Sequence, residues 1–137
     1  LGLEVYRATG WPDDTSGAIV KDDATPAGYA IFVNASHPEV RRRFTIAHEI
    51  AHFILHDDLI GDGIQEDALW RSGLSNRTEA QANKLAADIL MPWHLIKAVI
   101  DAGQATSDDV AGLARIFNVS KDAMSIRLLG VPYDRAA

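Results

Sequence analysis

Residues 44–56, with the sequence FTIAHEIAHFILH, contain the pattern that decides the fold. His48 and His52 are four residues apart, so on a helix they lie one turn apart on one face and can bind one cation. Glu49 projects beside them, where its carboxylate can accept a proton from an attacking water. With five His and five Glu in 137 residues, about 0.006 matches to His-Glu-x-x-His are expected by chance. The pattern therefore predicts a metal site.

The other side chains of this stretch indicate that its helix is buried. At 100° per residue, Thr45 and His56 share one arc of about 100° with the three motif residues, and apolar side chains cover the rest. A helix that is apolar on nearly every side is buried, and ionisable groups on its polar arc need partners. A metal ion would supply these partners. The alternative is a core helix whose hydrogen-bonded histidines match the pattern by chance.

A zinc ion needs a third protein ligand, and the motif helix does not provide it. Leu55 and Asp58 stand where the extended pattern His-x-x-Gly-x-x-His would have Gly and His. We therefore look for a carboxylate on another helix.

Glu79 is the strongest candidate for the third ligand. On a helical wheel of residues 79–90, Glu79 and Asn83 lie among apolar side chains. A glutamate at the centre of an apolar face is unusual unless a cation faces it. Its alternative role is a favourable interaction of a first-turn carboxylate with the helix dipole. We predict that His48, His52 and Glu79 bind zinc and leave one coordination position open.

Two further polar residues are predicted close to these ligands. Asn83 lies one turn after Glu79, where it hydrogen-bonds either a ligand imidazole or the backbone. His56 lies one turn after His52, where it either supports a ligand from behind or lines the cleft.

The surrounding sequence predicts an α+β fold in which a small antiparallel or mixed sheet precedes a set of helices. Short β-rich runs at residues 3–8, 18–21 and 29–34, separated by Gly, Pro and Asp, predict the sheet within residues 3–34. Ser36 and Glu39 form a capping box at the start of the motif helix. We expect one domain over residues 1–137, with helices at about residues 37–56, 77–91, 92–102, 107–117 and 121–129.

Residues 57–75 read as an acidic, Gly-rich connection between the two metal-binding helices. Its first eleven residues contain five acids and no base. The segment is either a solvated loop or a mobile flap that favours a basic substrate.

Composition excludes several classes of protein. The formal net charge of −6 argues against a surface that neutralises phosphates. Because cysteine is absent, disulfides and thiolate metal sites are excluded. The longest uncharged stretch, residues 24–38, is too short and too broken for a membrane span, and no basic-then-apolar leader precedes it. We expect a cytoplasmic protein without a membrane partner.

The C-terminal helices, at about residues 107–129, match the apolar skeleton of a helix-turn-helix. Residues 107–130 carry three bases and three acids, so this segment has no net positive charge with which to bind phosphates. We favour a packing role, then a protein-docking role, and expect no direct binding of nucleic acid. The one basic run, residues 41–43, points its side chains in different directions and reads as a solvated helix start.

Residues 43–52 (RFTIAHEIAH) and 79–92 (EAQANKLAADILMP), at this separation, resemble the ImmA/IrrE-type metallopeptidases of bacteria and their mobile elements. The likeness covers residues 5–129. It implies a gluzincin-like fold with a zincin-like helical bundle, Glu79 as third ligand and Glu49 as catalytic base. It also implies a substrate, because many members cut a helix-turn-helix transcriptional repressor at one site during stress or mobile-element induction.

Two hypotheses about function follow. The first is a zinc-dependent endopeptidase, with manganese as the alternative metal, that cleaves a protein substrate such as a DNA-binding repressor at one site. The second is a non-catalytic, metal-containing transcriptional regulator that binds protein or DNA through its C-terminal helices.

Overall fold

The computed structural model describes residues 1–61, 63–67 and 76–129, with the backbone alone for residues 64–67. The described strands are β1 (Glu4–Ala8), β2 (Thr15–Lys21), β3 (Tyr29–Asn34) and β4 (Gly63–Asp67). The described helices are α1 (Glu39–Leu55), α2 (Asp57–Ile60), α3 (Asn76–Leu90), α4 (Trp93–Asp101), α5 (Val110–Phe117) and α6 (Lys121–Leu129). The chain forms two compact units, Leu1–Ala86 and Ala87–Ala137. The predicted α+β class is confirmed.

The sheet is mixed, with the strand order β1-β3-β2-β4. Strand β1 runs parallel to β3, whereas β2 runs antiparallel to both β3 and β4. Strands β1 and β4 therefore form opposite edges of the sheet. The predicted bounds of β1 and β3 agree with the structure to within one residue. Strand β2 begins at Thr15, three residues before its predicted start at Ala18.

The predicted connection after the motif helix is wrong over much of its length, because it contains regular structure. Residues 57–60 form α2, and residues 63–67 form β4, which pairs with β2. The strand sequence GIQED has a single large apolar residue, so its pattern does not indicate a strand. Backbone pairing with β2 determines it instead. Residues 62 and 68–75 of the proposed flap lie outside the described residues.

The core of the first unit lies between α1 and the sheet. Ile19 of β2, Ile31 of β3 and Ile60 of α2 are buried together, and Ile50 and Phe53 of α1 pack against them. This packing fixes which side of α1 faces the sheet, and so it determines where the motif residues point.

The start of α1 differs from the predicted capping box. Pro38 is the N-cap residue, and no side chain caps the helix. The Ser36 hydroxyl instead donates to Oδ1 of Asn34 at 2.7 Å. The Asn34 side chain donates in turn to the carbonyl of Thr15 at 2.8 Å. Ser36 thus stabilises the β3–α1 connection rather than the helix end.

The second unit buries the apolar skeleton that resembles a helix-turn-helix. Leu113, Val119 and Met124 pack with Met91 and Ile96 in one core. The turn between α5 and α6 passes through Asn118 in the left-handed conformation, at φ 54°. Among the described residues, no helix is both long enough and apolar enough to cross a bilayer.

Candidate metal centre

Helices α1 and α3 bring the predicted ligand residues together in the first unit. His52 and Glu49 are fully buried, Glu79 is 1% exposed, and His48 is 8% exposed. Burial of these four ionisable side chains is costly unless a cation or hydrogen bonds compensate for the lost hydration. The predicted anomaly of Glu79, a carboxylate on an apolar helix face, is therefore present in the folded chain.

The donor atoms converge at a spacing that suits a metal ion. Oε1 of Glu79 lies 2.7 Å from Nε2 of His52 and 3.5 Å from Nε2 of His48. One donor atom from each of the three residues lies within 4.8 Å of the others. Two ligands of a tetrahedral zinc ion, each at about 2.0–2.2 Å, are about 3.3–3.6 Å apart. Two imidazole nitrogens and one carboxylate oxygen are also the donor set of known catalytic zinc sites.

Asn83 orients the His48 ring. Nδ1 of His48 donates to Oδ1 of Asn83 at 2.8 Å, because an amide oxygen is an acceptor only. With the proton on Nδ1, Nε2 of the neutral ring keeps its lone pair on the side of Glu79. Of the two alternatives for Asn83, the structure shows the hydrogen bond to the imidazole.

A chain of hydrogen bonds orients the His52 ring in the same way. Nε2 of His56 donates to Oε1 of Gln81 at 2.9 Å, which leaves Nδ1 of a neutral His56 as an acceptor. Nδ1 of His52 donates to that nitrogen at 3.1 Å. The Nε2 lone pair of His52 is thereby directed to the same side as that of His48.

The sequence did not indicate Gln81, because helical periodicity puts this residue on the polar face of α3, opposite Glu79. The wheel also treated His56 as part of the motif helix. In the structure α1 ends at Leu55, and His56 is the C-cap residue with φ −133° and ψ 29°. Its ring leaves the helical path, and this departure allows the contact with Gln81.

We expect His56→Ala to lower the metal affinity by about tenfold while the three predicted ligands stay in place. Loss of a hydrogen-bonding partner behind a metal ligand typically lowers the metal affinity by about 10–100-fold, and the expected loss is at the lower end of this range. Competition with a chelating dye would measure the change. His94→Ala is the matched control, because His94 is exposed on α4. Equal affinities for the two variants would show that the hydrogen bonds from His56 do not support the site.

Gly17 of β2 allows α1 to approach the sheet closely. A Cβ atom at this position would overlap Cγ2 of Thr45 and lie 3.0 Å from the carbonyl oxygen of Phe32 and 3.9 Å from Cγ of Glu49. The register of β2 against β4 also shifts between Thr15 and Gly17. A strand glycine often marks such an approach of two backbones. The sequence did not indicate the role of Gly17, because the strand was predicted to begin at Ala18.

Gly17→Ala should therefore destabilise the unit that carries the metal centre. Overpacking typically costs about 1–3 kcal/mol of unfolding free energy, and a loss in this range is expected. Urea denaturation followed by circular dichroism would measure it. Ser16→Ala serves as the neighbouring control and should change the value by less than about 0.5 kcal/mol. An unchanged stability in Gly17→Ala would mean that α1 does not rest on this glycine.

Comparison with known proteins shows what the chain is similar to. The family model described as the IrrE N-terminal-like domain matches residues 11–129. The radiation response metalloprotease IrrE of Deinococcus radiodurans is 37% identical over 117 residues, which are 84% of this chain and 33% of that protein. The protein of the same name from Deinococcus deserti is 36% identical over 97 residues, 69% of this chain and 34% of that one. The chain thus spans about a third of the length of these curated relatives.

A solved structure shares the fold. The Mycobacterium tuberculosis structure described as a transcriptional regulator superposes with a TM-score of 0.62 at 21% sequence identity. The match covers 98% of this chain and 39% of that one.

Proposed function

Because the chain belongs to the family of IrrE N-terminal-like domains, we propose that it is a zinc-dependent endopeptidase that hydrolyses a protein substrate at one site. The observation that carries the proposal is the convergence of Nε2 of His48, Nε2 of His52 and Oε1 of Glu79. Glu49 follows His48 directly in α1 and is fully buried. This combination of two imidazoles, a carboxylate and a glutamate next to the first histidine is the set that zinc peptidases of the His-Glu-x-x-His type use to hydrolyse peptides.

In the proposed mechanism, Glu49 moves the proton. His48, His52 and Glu79 would hold the zinc ion, which when bound polarises the scissile carbonyl and activates water. The Glu49 carboxylate accepts a proton from the attacking water and passes it to the leaving amine. Asn83 and His56 keep the two imidazole rings in the tautomer that leaves Nε2 available as a donor atom.

Strand β4 is our candidate for holding the substrate, because an extended peptide can add to the edge of a sheet. β4 is an edge strand, and its Glu66 pairs with Gly17 of β2. Gly17 in turn lies against the α1 side chains of Thr45 and Glu49. A peptide paired with β4 would thus lie one strand away from the position that approaches Glu49.

We further propose that the substrate is a DNA-binding transcriptional repressor in a cytoplasmic stress-response or mobile-element pair. The resemblance in the two motif segments supports this class of substrate. Electrostatics also support it, because a chain of net charge −6 attracts a basic partner. The exposed Asp57 and Asp58 follow the motif helix directly and add negative charge there. The same net charge disfavours direct binding of nucleic acid by this chain.

Incubation of the purified chain with repressors encoded next to its gene would test the proposal. We expect one pair of fragments by mass spectrometry with zinc or manganese and none with a chelator. Comparing the two metals would identify the one that supports the higher rate. Cleavage that persists after chelation and dialysis would contradict the metal-dependent mechanism, and fragments from many sites would contradict site-specific hydrolysis.

A further inference from the structure

A cavity of about 230 Å³ lies between the edge strand β1 and the first half of α1. Val5 and Arg7 lie two residues apart on β1, so their side chains leave the strand on the same face. Val33 of β3 is the register partner of Arg7 and also lines the cavity, as does Ile46 of α1. The cavity thus combines an apolar lining with charged groups.

The charges around this cavity differ from those of the chain as a whole. Arg7, Arg42 and Arg43 line it, together with the single carboxylate of Glu39. Three guanidinium groups against one carboxylate make the cavity basic, although the chain carries a net charge of −6. Two arginines of the 41–43 run thus meet a third from β1, which the helical periodicity of the run did not predict.

Arg7 and Arg42 keep N–H donors that are available to a ligand. Nη1 of Arg42 donates to the carbonyl oxygens of Ala35 at 3.4 Å and His37 at 3.0 Å, which restrains this guanidinium beside the cavity. A guanidinium has five N–H donors, so others remain. Arg7 has no hydrogen-bonding or ion-pair partner among the described residues. A restrained guanidinium next to an available one suits the two oxygens of a carboxylate or phosphate.

We propose that this cavity binds a small organic anion, whose carboxylate or phosphate pairs with Arg7 and Arg42 while its apolar portion contacts Val5, Val33 and Ile46. The volume limits the ligand to a small molecule, because the pockets that bind drug-sized ligands measure roughly 300–1,000 Å³. The cavity shares no residue with the metal centre, and β1 is the sheet edge opposite β4. It does share helix α1 with the metal centre, so an occupant would contact the helix that carries the motif.

The proposal would be tested by titrating the metal-loaded chain with three probes and monitoring the chemical shifts of its backbone amides. Benzoate and phenyl phosphate carry a ring and an anionic group, whereas benzyl alcohol carries the ring without a charge. We expect at least one of the two anions to give saturable chemical-shift changes in β1 and residues 39–46. The anion that binds more tightly shows whether the cavity prefers a carboxylate or a phosphate. Equal binding of benzyl alcohol, or shifts confined to residues 48–56 and 79–83, would overturn the proposal.

Charge-removing variants locate the anion. Arg7→Gln should weaken binding by about tenfold or more, because it removes charge-assisted hydrogen bonds. Arg41→Gln is the matched control, since Arg41 lies on the same helix turn as Arg42 but points to Ser16 instead of lining the cavity. It should change the affinity less than about twofold. Equal losses in both variants would show that general positive charge, and not this cavity, attracts the anion.

Discussion

Glu49→Gln should retain the metal ion and the fold while slowing peptide hydrolysis by about two to four orders of magnitude, the usual contribution of a positioned general base. Glutamine has nearly the shape of glutamate, so it fits the fully buried position of Glu49 on α1. Its amide cannot accept the proton of the attacking water, whereas the proposed ligands His48, His52 and Glu79 are unchanged. Metal content by mass spectrometry and the single-turnover cleavage rate would measure both effects on the same sample.

Glu4→Gln is the control for this experiment, because Glu4 is an exposed glutamate on β1. It removes the same charge and should leave the cleavage rate unchanged. Cleavage by Glu49→Gln at the wild-type rate would show that Glu49 is not the base. A regulator that uses its metal only structurally would retain its activity in this variant, and so the experiment also separates the two functional hypotheses.

Local helical geometry explains why much of the site was predictable. His48 and His52 lie together because a four-residue separation is nearly one helical turn, which holds for any regular helix. Glu79 was inferred from a conflict between its charge and the apolar residues beside it. In the structure its carboxylate lies 2.7 Å from Nε2 of His52. Arguments of this kind need only the period of each helix, and they also suffice for the α+β class.

The features that the sequence did not reveal depend on contacts between distant segments. Strand β4 has almost no apolar pattern, and it exists because β2 offers an edge for backbone pairing. Gln81 contacts the site because His56 leaves the helical path one residue after α1 ends. Gly17 is small because α1 crosses the sheet above it. None of these contacts follows from the period of a single element, since each depends on how two elements meet.

Glu79→Gln should weaken metal binding by at least about 100-fold if Glu79 is the proposed ligand, because a neutral group then replaces a charged one. Even hydrogen-bonding partners behind a ligand contribute about 10–100-fold. This substitution should affect metal binding without lowering the stability of the metal-free fold. In the metal-free chain the 1% exposed carboxylate has lost its hydration, so the neutral amide should not destabilise that form. The cost should therefore appear only when metal is added.

The metal-induced increase in unfolding free energy is the measurement that decides whether Glu79 is a ligand. At a metal concentration of about 1,000 times Kd, binding stabilises the wild type by about 4 kcal/mol, and a 100-fold weaker site retains about 1.4 kcal/mol. Asp88→Asn is the matched control, since Asp88 lies on the same helix but pairs with Arg127 at 2.7 Å. It should keep the full metal-induced increase even if its own stability falls. Equal increases in the two variants would remove Glu79 from the ligand set and leave two imidazoles, too few to support a catalytic zinc ion.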